Sequence, residues 1–556
     1  MRRHVSAGLV LITALSVQLP ASANTAANTA ANTAANTAAN TAATTTADTA
    51  ATTTADAPDL TPFTTQQLTW TPCETVLQCA DVVLPLDYKN PATDRITVRI
   101  SRRQATDRAA RRGILVLNPG GPGGSGLTMP SFLAQSAPAA VYDLIGFDPR
   151  GVGASTALNC RTSPEFATPD TRPSDADFPK WAAEARAAED SCQRSGGAIR
   201  PHINTANTAR DLDVIRAVLG EEKLSYLGYS YGTYLGAVYG SLFPSRLDRS
   251  VLDSAVHPDW VWRGQFRAQA IAMRRNVDQW AEWVAARDRR YSLGKSGSDV
   301  MATVERIAAR LAANPTPSDT RTTFDAAIGV GTRYRPLWAE LADAVNDLKD
   351  PAPPTDGALS PAGTSPLSLM ARAAQDELVS GVFNTVVCEV DWPTEIDTYY
   401  EDMRIFRDRY PYGYGVVRAA PTTCTYRSFT PPEPPVRLHR DGYPIGVVVQ
   451  AEGDTQTQYE SGPAMASRLG HSLITVKDEG KHGVYGSSNK CVNTAVNRYL
   501  VDGILPGSSS ECPGSPRPDE TKPGTSGVAT VQSFLDERGL LAWTKPGAPR
   551  PPRPRP

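Results

Sequence analysis

The stretch Lys223-Leu-Ser-Tyr-Leu-Gly228-Tyr-Ser230-Tyr-Gly232 constrains this chain more than any other. It places Gly-x-Ser-x-Gly directly after a short, partly apolar segment that suits a buried strand. A serine pushed out at a strand-to-helix turn sits in strained backbone, and side chains two residues to either side would strike the neighbouring strand and helix. Downstream, Gly232, Gly236 and Gly240 recur every four residues. That period leaves one face of the following helix bare and lets it lie close against a sheet.

Around this turn the sequence alternates strand-like and helix-like segments. Ile114–Asn118 is a short apolar strand running into the glycine-rich run Asn118-Pro-Gly-Gly-Pro-Gly-Gly-Ser-Gly126, and residues 143–148 form another. Thr208 to Leu219 reads as a helix capped by Thr208, striped by Leu212, Ile215 and Leu219, and ended by Gly220. Arg249 to Asp253 is a further strand. This alternation implies an α/β fold, a mostly parallel sheet with helices on both faces. From about residue 257 the pattern changes to long amphipathic helices, including Arg263 to Arg290 and Val300 to Ala313. Strand-like sequence returns at Ile445–Gln450 and Ser472–Val476. The expected organisation is therefore a first core part over 61–256, a largely helical cap inserted over 257–437, and a second core part over 438–544.

A serine hydroxyl is a weak nucleophile at neutral pH and needs a base, which in turn needs an orienting acid. In Gly-x-Ser-x-Gly enzymes these follow in the order Ser, Asp/Glu, His. Of the six histidines, His4, His202 and His257 come too early, and His439 precedes any acid after the insertion. His471 lies ahead of the last strand, where a surface position is expected. His482, in Lys477-Asp-Glu-Gly-Lys-His482-Gly, is left as the base. Asp454 follows the strand at 445–450 and is the expected acid, with Glu452 and Asp253 as rivals. Strand ends at one edge of a parallel sheet would bring these loops together. The amide of Tyr231 and one from the glycine run are the expected oxyanion donors. The run lacks the Gly-Lys-Ser/Thr ending of a phosphate loop.

The remaining features concern where such a chain works. Arg2-Arg3-His4, an apolar run to Leu19 and Ala21-Ser-Ala23 read as an export signal over 1–23, with the general secretory route preferred to a twin-arginine one. The apolar run falls short of the about 20 residues of a membrane helix. Residues 24–60 are rich in Asn, Thr and Ala, poor in bulky apolar residues, and read as a disordered spacer; 545–556 form a Pro/Arg-rich tail. Cys73, Cys79, Cys160, Cys192, Cys388, Cys424, Cys491 and Cys512 make an even set, which in an exported chain favours disulfides. Their clustering suggests sequential pairing among the many combinations open. No Cys-x-x-Cys or Cys/His cluster points to a metal, and no cofactor is expected. With 56 basic and 58 acidic residues there is no electrostatic case for nucleic acid. Integral membrane association is not expected; loose cell-wall association is one reading of the spacer and tail.

Several of these stretches, together with Cys79-Ala80, Val83–Tyr88, Asp143–Gly153 and Asp211-Leu-Asp213, resemble the secreted actinobacterial tripeptidyl aminopeptidases. These are α/β-hydrolases related to proline iminopeptidase, with a characteristic C-terminal region. The resemblance covers residues 60 to 515. It implies a triad of Ser230, Asp454 and His482, an oxyanion hole from the Gly121 and Tyr231 amides, and removal of short peptides, tripeptides above all, from free N-termini. The acid in this family usually precedes a proline-containing turn, whereas Thr455-Gln-Thr-Gln458 follows here. An exopeptidase must hold a free α-ammonium, for which a desolvated carboxylate is suited; Glu389 and Asp391 in the cap are the candidates, against ordinary loop acids. An exported esterase or lipase with the same triad is the alternative, and a wall-binding protein with an idle triad a third reading.

Overall fold

The computed structural model describes residues 58–518 except 75, 159, 161–168, 317–318, 350–364 and 376–380, together with residue 531. The expected signal, most of the spacer and the Pro/Arg-rich tail lie outside these residues.

The alternating segments assemble into one ten-stranded sheet among the described residues. In chain order the strands are β1 (Thr71–Glu74), β2 (Leu77–Pro85), β3 (Arg95–Arg103), β4 (Ile114–Asn118), β5 (Asp143–Phe147), β6 (Leu224–Tyr229), β7 (Leu247–Asp253), β8 (Val447–Ala451), β9 (Ser472–Lys477) and β10 (Ser509–Pro513). Their spatial order is β1-β2-β3-β5-β4-β6-β7-β8-β9-β10. β1 to β3 are antiparallel, as is the β3–β5 pair, and every pair from β5 to β10 is parallel. The central strands β4 to β8 are buried along their length apart from Asp248 near the start of β7, as parallel strands covered on both faces must be.

Successive side chains of a strand serve opposite layers. Val116, Ile145, Tyr226 and Leu252 join Leu212, Ile215, Leu235 and Val238 of the helices on one face. Leu117, Leu144, Leu227 and Val251 join Val492, Val496 and Leu500 of the C-terminal helix (Lys490–Asp502) on the other.

Between β7 and β8 the chain is largely helical, with helices at Arg263–Ala285, Gly297–Ala313, Arg321–Arg333, Trp338–Lys349 and Ile396–Arg409. This insertion has its own core of Trp280, Trp283, Val304, Ile307, Phe324, Ile328 and Trp338. The α/β-hydrolase architecture with a helical insertion is thus present.

Three local expectations are corrected. The helix read from Thr208 begins at Thr205, because Asn204 accepts the Asn207 amide at 2.8 Å as its cap; Thr208 bonds back to Asn204 O from inside the helix. The helix read to Arg290 stops at Ala285, and a separate turn carries Tyr291 in against Trp283. His471 is buried, 7% exposed, with Nδ1 accepting the Gly446 amide at 3.1 Å. Burial, with Arg440 nearby, pushes its imidazole down to about 3.

The cysteines pair 73–79, 160–192, 388–424 and 491–512, each with its sequential neighbour. No described helix is long and apolar enough to cross a membrane.

Candidate active site

Ser230 lies between β6 and the helix Tyr231–Leu242 with φ 56° and ψ −126°. A non-glycine residue there costs about 1–3 kcal/mol, so the neighbours must hold it. The Ser230 amide donates to Asp253 O at 3.1 Å, and Thr233 donates to Ser230 O from both its amide (2.9 Å) and its hydroxyl (2.6 Å). The elbow glycines leave no room for substitution. A Cβ on Gly228 would lie 2.3 Å from Gly232 O, and one on Gly232 would lie 2.7 Å from Asn118 Oδ1.

The glycine run leaves the end of β4 and packs directly on this turn. Asn118 Oδ1 accepts the Gly120 amide at 2.9 Å. With φ +96°, Gly120 sits where a Cβ would be 2.5 Å from Tyr229 O, 2.9 Å from Ser230 Cβ and 3.2 Å from the Tyr231 amide nitrogen. Gly121 follows with φ +112°, so the two backbone segments expected to donate to an oxyanion are adjacent.

Asp454 and His482 come from the loops after β8 and β9. His482 Nδ1 is 2.7 Å from Asp454 Oδ2. Asp454 is fully buried yet well satisfied: its Oδ1 accepts the Gln456 amide at 2.8 Å and the Thr457 amide at 3.3 Å, and Oδ2 accepts the Thr457 hydroxyl at 3.0 Å. The Thr455-Gln-Thr-Gln458 stretch is the loop that supplies these donors. Burial pushes the carboxyl up, but His482, the Arg333 guanidinium and the Gln456 amide outweigh it and hold Asp454 below its ordinary range. No hydrogen bond joins Ser230 Oγ to His482 among the described residues. That link is often open in free enzymes and closes with substrate.

The rivals occupy other posts. Glu452 pairs with Lys477 and accepts the Asp478 amide at 2.9 Å. Asp253, fully buried, accepts the Val484 and Tyr485 amides at 2.9 and 2.6 Å. The His257 ring stacks on Trp260 with centroids 3.9 Å apart, and the His202 carbonyl accepts the Arg150 guanidinium at 2.9 Å.

Glu389 and Asp391 part company. Glu389 is 8% exposed, takes the Thr205 amide at 2.8 Å and the Thr205 hydroxyl at 2.7 Å, and burial pushes its carboxyl up to about 7 against those bonds. The same Thr205 hydroxyl lies 2.9 Å from the phenol of Tyr231, the residue after Ser230. A cavity of about 20 Å³ opens beside Glu389, Thr205 and Tyr234. Asp391 instead has a solvent-facing side chain paired with Arg427 at 2.9 Å.

Sequence reading missed the braces supplied by the insertion. Arg333 Nε donates to Gly480 O at 3.1 Å and Arg335 Nε lies 3.2 Å from Asp478 Oδ1, both in the His482 loop. Asn276 Nδ2 donates to Gly453 O at 2.8 Å, next to Asp454. Nothing in a single sequence pairs positions so distant. The Asp211-Leu-Asp213 motif proves structural: Asp211 joins Arg150 at 2.8 Å and Tyr88 at 2.8 Å in a fully buried network. No group of three or more acidic, His or Cys side chains among the described residues is placed to hold a metal ion.

Comparison with known proteins places the chain in a family. Residues 113–341 match the alpha/beta hydrolase fold model, and residues 410–512 match the model of TAP-like proteins. A tripeptidyl aminopeptidase of Streptomyces lividans is 37% identical over 80% of this chain and 85% of its own length. The serine protease Hip1 of Mycobacterium tuberculosis is 30% identical over 80% of this chain and 91% of its own. A protein of the same species named carboxylesterase B is 31% identical over 81% of this chain and 91% of its own.

Proposed function

For this chain, which belongs to the tripeptidyl aminopeptidase family of α/β-hydrolases and is a serine hydrolase, we propose exopeptidase action through Ser230, His482 and Asp454. The observation that carries the assignment is the 2.7 Å contact of His482 Nδ1 with a buried, ionised Asp454, on loops at the same sheet edge as a strained serine. Asp454 fixes the tautomer that leaves Nε2 free to accept a proton. His482 takes the Ser230 proton as Oγ attacks the scissile carbonyl. The amides of Gly121 and Tyr231 receive the oxyanion. The proton passes to the leaving amine as the C–N bond breaks, and water then hydrolyses the acyl-enzyme by the same relay.

Glu389 is the proposed anchor for the substrate's α-ammonium. Its support is a buried carboxylate beside a cavity large enough for a water-sized group, connected through Thr205 to Tyr231. Release of short peptides, tripeptides by family likeness, follows from holding the N-terminus at a fixed distance from Ser230. Asp391, facing solvent, is left out of this role. Four disulfides support work outside the cytoplasm, and the leader over 1–23 would supply the export.

The test is a panel of tripeptide nitroanilides, their N-acetylated copies and short-chain nitrophenyl esters, run with the native enzyme and with Ser230→Ala. Cleavage of free tripeptides alone, abolished in the variant by on the order of 10⁴-fold or more, is the expected result. Turnover restricted to esters would establish the esterase alternative, and undiminished turnover by Ser230→Ala would overturn the assignment.

A further inference from the structure

Asp253 ends β7, directly beside the elbow, and touches both catalytic loops through different atoms. Its carbonyl oxygen accepts the Ser230 amide at 3.1 Å. Its carboxylate reaches the other way: Oδ2 accepts the amides of Val484 and Tyr485, and Oδ1 accepts the Ser254 hydroxyl at 3.1 Å. Ser254 completes the grip, because its Oγ accepts the Gly483 amide at 2.8 Å. Three consecutive amides immediately after His482 therefore end on two consecutive side chains at the end of β7, the strand beside the elbow strand. The Tyr229 hydroxyl adds a bond to Tyr485 O at 3.1 Å. Ser254 itself has φ 59°, a backbone state that costs energy in a serine and so needs a structural return.

We propose that Asp253 and Ser254 are positioning residues of the reaction, a clasp that sets His482 at its working distance from Ser230. This inference rests on the triad assignment above and goes beyond it. A base must be held within a few tenths of an ångström of the attacking hydroxyl, and Asp454 touches only the far side of the imidazole. The clasp locates the backbone on which that imidazole is mounted.

The clasp is sensitive to protonation. Burial pushes Asp253 up to about 6, against the amides of Tyr485 and Val484, the Ser254 hydroxyl and the nearby His482; the phenol of Tyr229 is the other titratable group facing it. Protonation places a hydrogen on the carboxyl and weakens its hold on the three donors. The signs are opposed. A carboxyl whose folded pKa exceeds its unfolded value of about 3.9 favours the fold most below that unfolded value and loses this contribution as pH rises through about 6. Activity, needing the ionised form, falls as pH drops through about 6, while this group's own contribution to stability grows.

The experiment compares native enzyme, Ser230→Ala, Asp253→Asn and Ser254→Gly. It reads kcat and KM on a tripeptide nitroanilide from pH 5 to 9, phosphonylation of Ser230 by a fluorophosphonate, and unfolding temperature. Glycine suits the φ of Ser254, so Ser254→Gly removes the hydroxyl without straining the backbone. Both clasp variants are expected to lose about 10- to 100-fold in kcat and phosphonylation rate with KM within twofold. The acid limb of the native enzyme should be steeper by one proton than that of Asp253→Asn, the difference centred near pH 6. If Asp253→Asn fails to fold, Ser254→Gly carries the test through kcat. Native kcat in Ser254→Gly, or a native acid limb in folded Asp253→Asn, overturns the clasp while an inert Ser230→Ala keeps the triad. Turnover by Ser230→Ala overturns both.

Discussion

The Thr457 hydroxyl donates to Asp454 at 3.0 Å, on the same carboxylate oxygen that holds His482. Two donors on one oxygen keep the acid ionised in a site with no exposure, and they fix the direction in which it presents its charge.

Replacing Thr457 by Val keeps the volume and deletes the donor. One hydrogen bond to a charged group is worth about 1.5–3 kcal/mol, so kcat should fall by roughly tenfold or more, with Thr457→Ser restoring most of it. Asp454 is held low by its partners, a contribution present at neutral pH and lost as pH falls through its folded pKa. Losing one partner raises that pKa, and the acid limb of the Thr457→Val profile should move to higher pH. An unchanged limb with native kcat would refute the role.

Glu389→Gln should raise KM for free tripeptides by about tenfold or more, the value of a charge-assisted bond. Asp391→Asn should leave KM alone, since its pairing with Arg427 is exposed to solvent. The ionised Glu389 that would bind ammonium gains population as pH rises through about 7, so native KM should improve over that interval and that of Glu389→Gln should not. Steady-state kinetics from pH 5.5 to 8.5 decide the matter.

Asp211→Ala strips the partner from Arg150, which is 1% exposed. An unpaired buried guanidinium costs about 3–5 kcal/mol. Chemical denaturation should show a loss of that size at neutral pH, without a selective change in KM. A loss below about 1 kcal/mol would mean that water reaches the site.

The disulfide Cys388–Cys424 closes a loop with a sequence separation of 36 and adjoins Glu389. Chain entropy assigns such a closure about 4 kcal/mol. The double change Cys388→Ser with Cys424→Ser should lower the unfolding temperature, and KM should rise more steeply than kcat falls because the anchor loses its tether. Proportional loss of both would detach the disulfide from substrate binding.

What the sequence reveals depends on how local the determinant is. The elbow, the glycine run and the strand at 114–118 carry their signal within a few residues, and they fold where the spacing implies. His482 was legible by elimination among few histidines. Helix ends were less so: Thr208 looks like a cap, yet Asn204 captures the amide and Glu389, remote in sequence, takes another. β10, polar and ending in proline, lacks the apolar run that marks a strand. His471 reads as a surface residue, but a glycine amide and an adjoining tyrosine ring make a buried niche for it. The Arg333 and Arg335 braces and the Ser254 hydroxyl depend on partners in the loop after β9, more than 140 residues further along the chain, and no local pattern announces them.

The parallel seam in which Val251 faces Val447 joins strands that flank the whole insertion. During translation the serine turn therefore leaves the ribosome long before the segments bearing Asp454 and His482 exist. Under the proposed triad, hydrolytic power would arrive only once residue 482 has been made, and a chain ending short of it would lack its base.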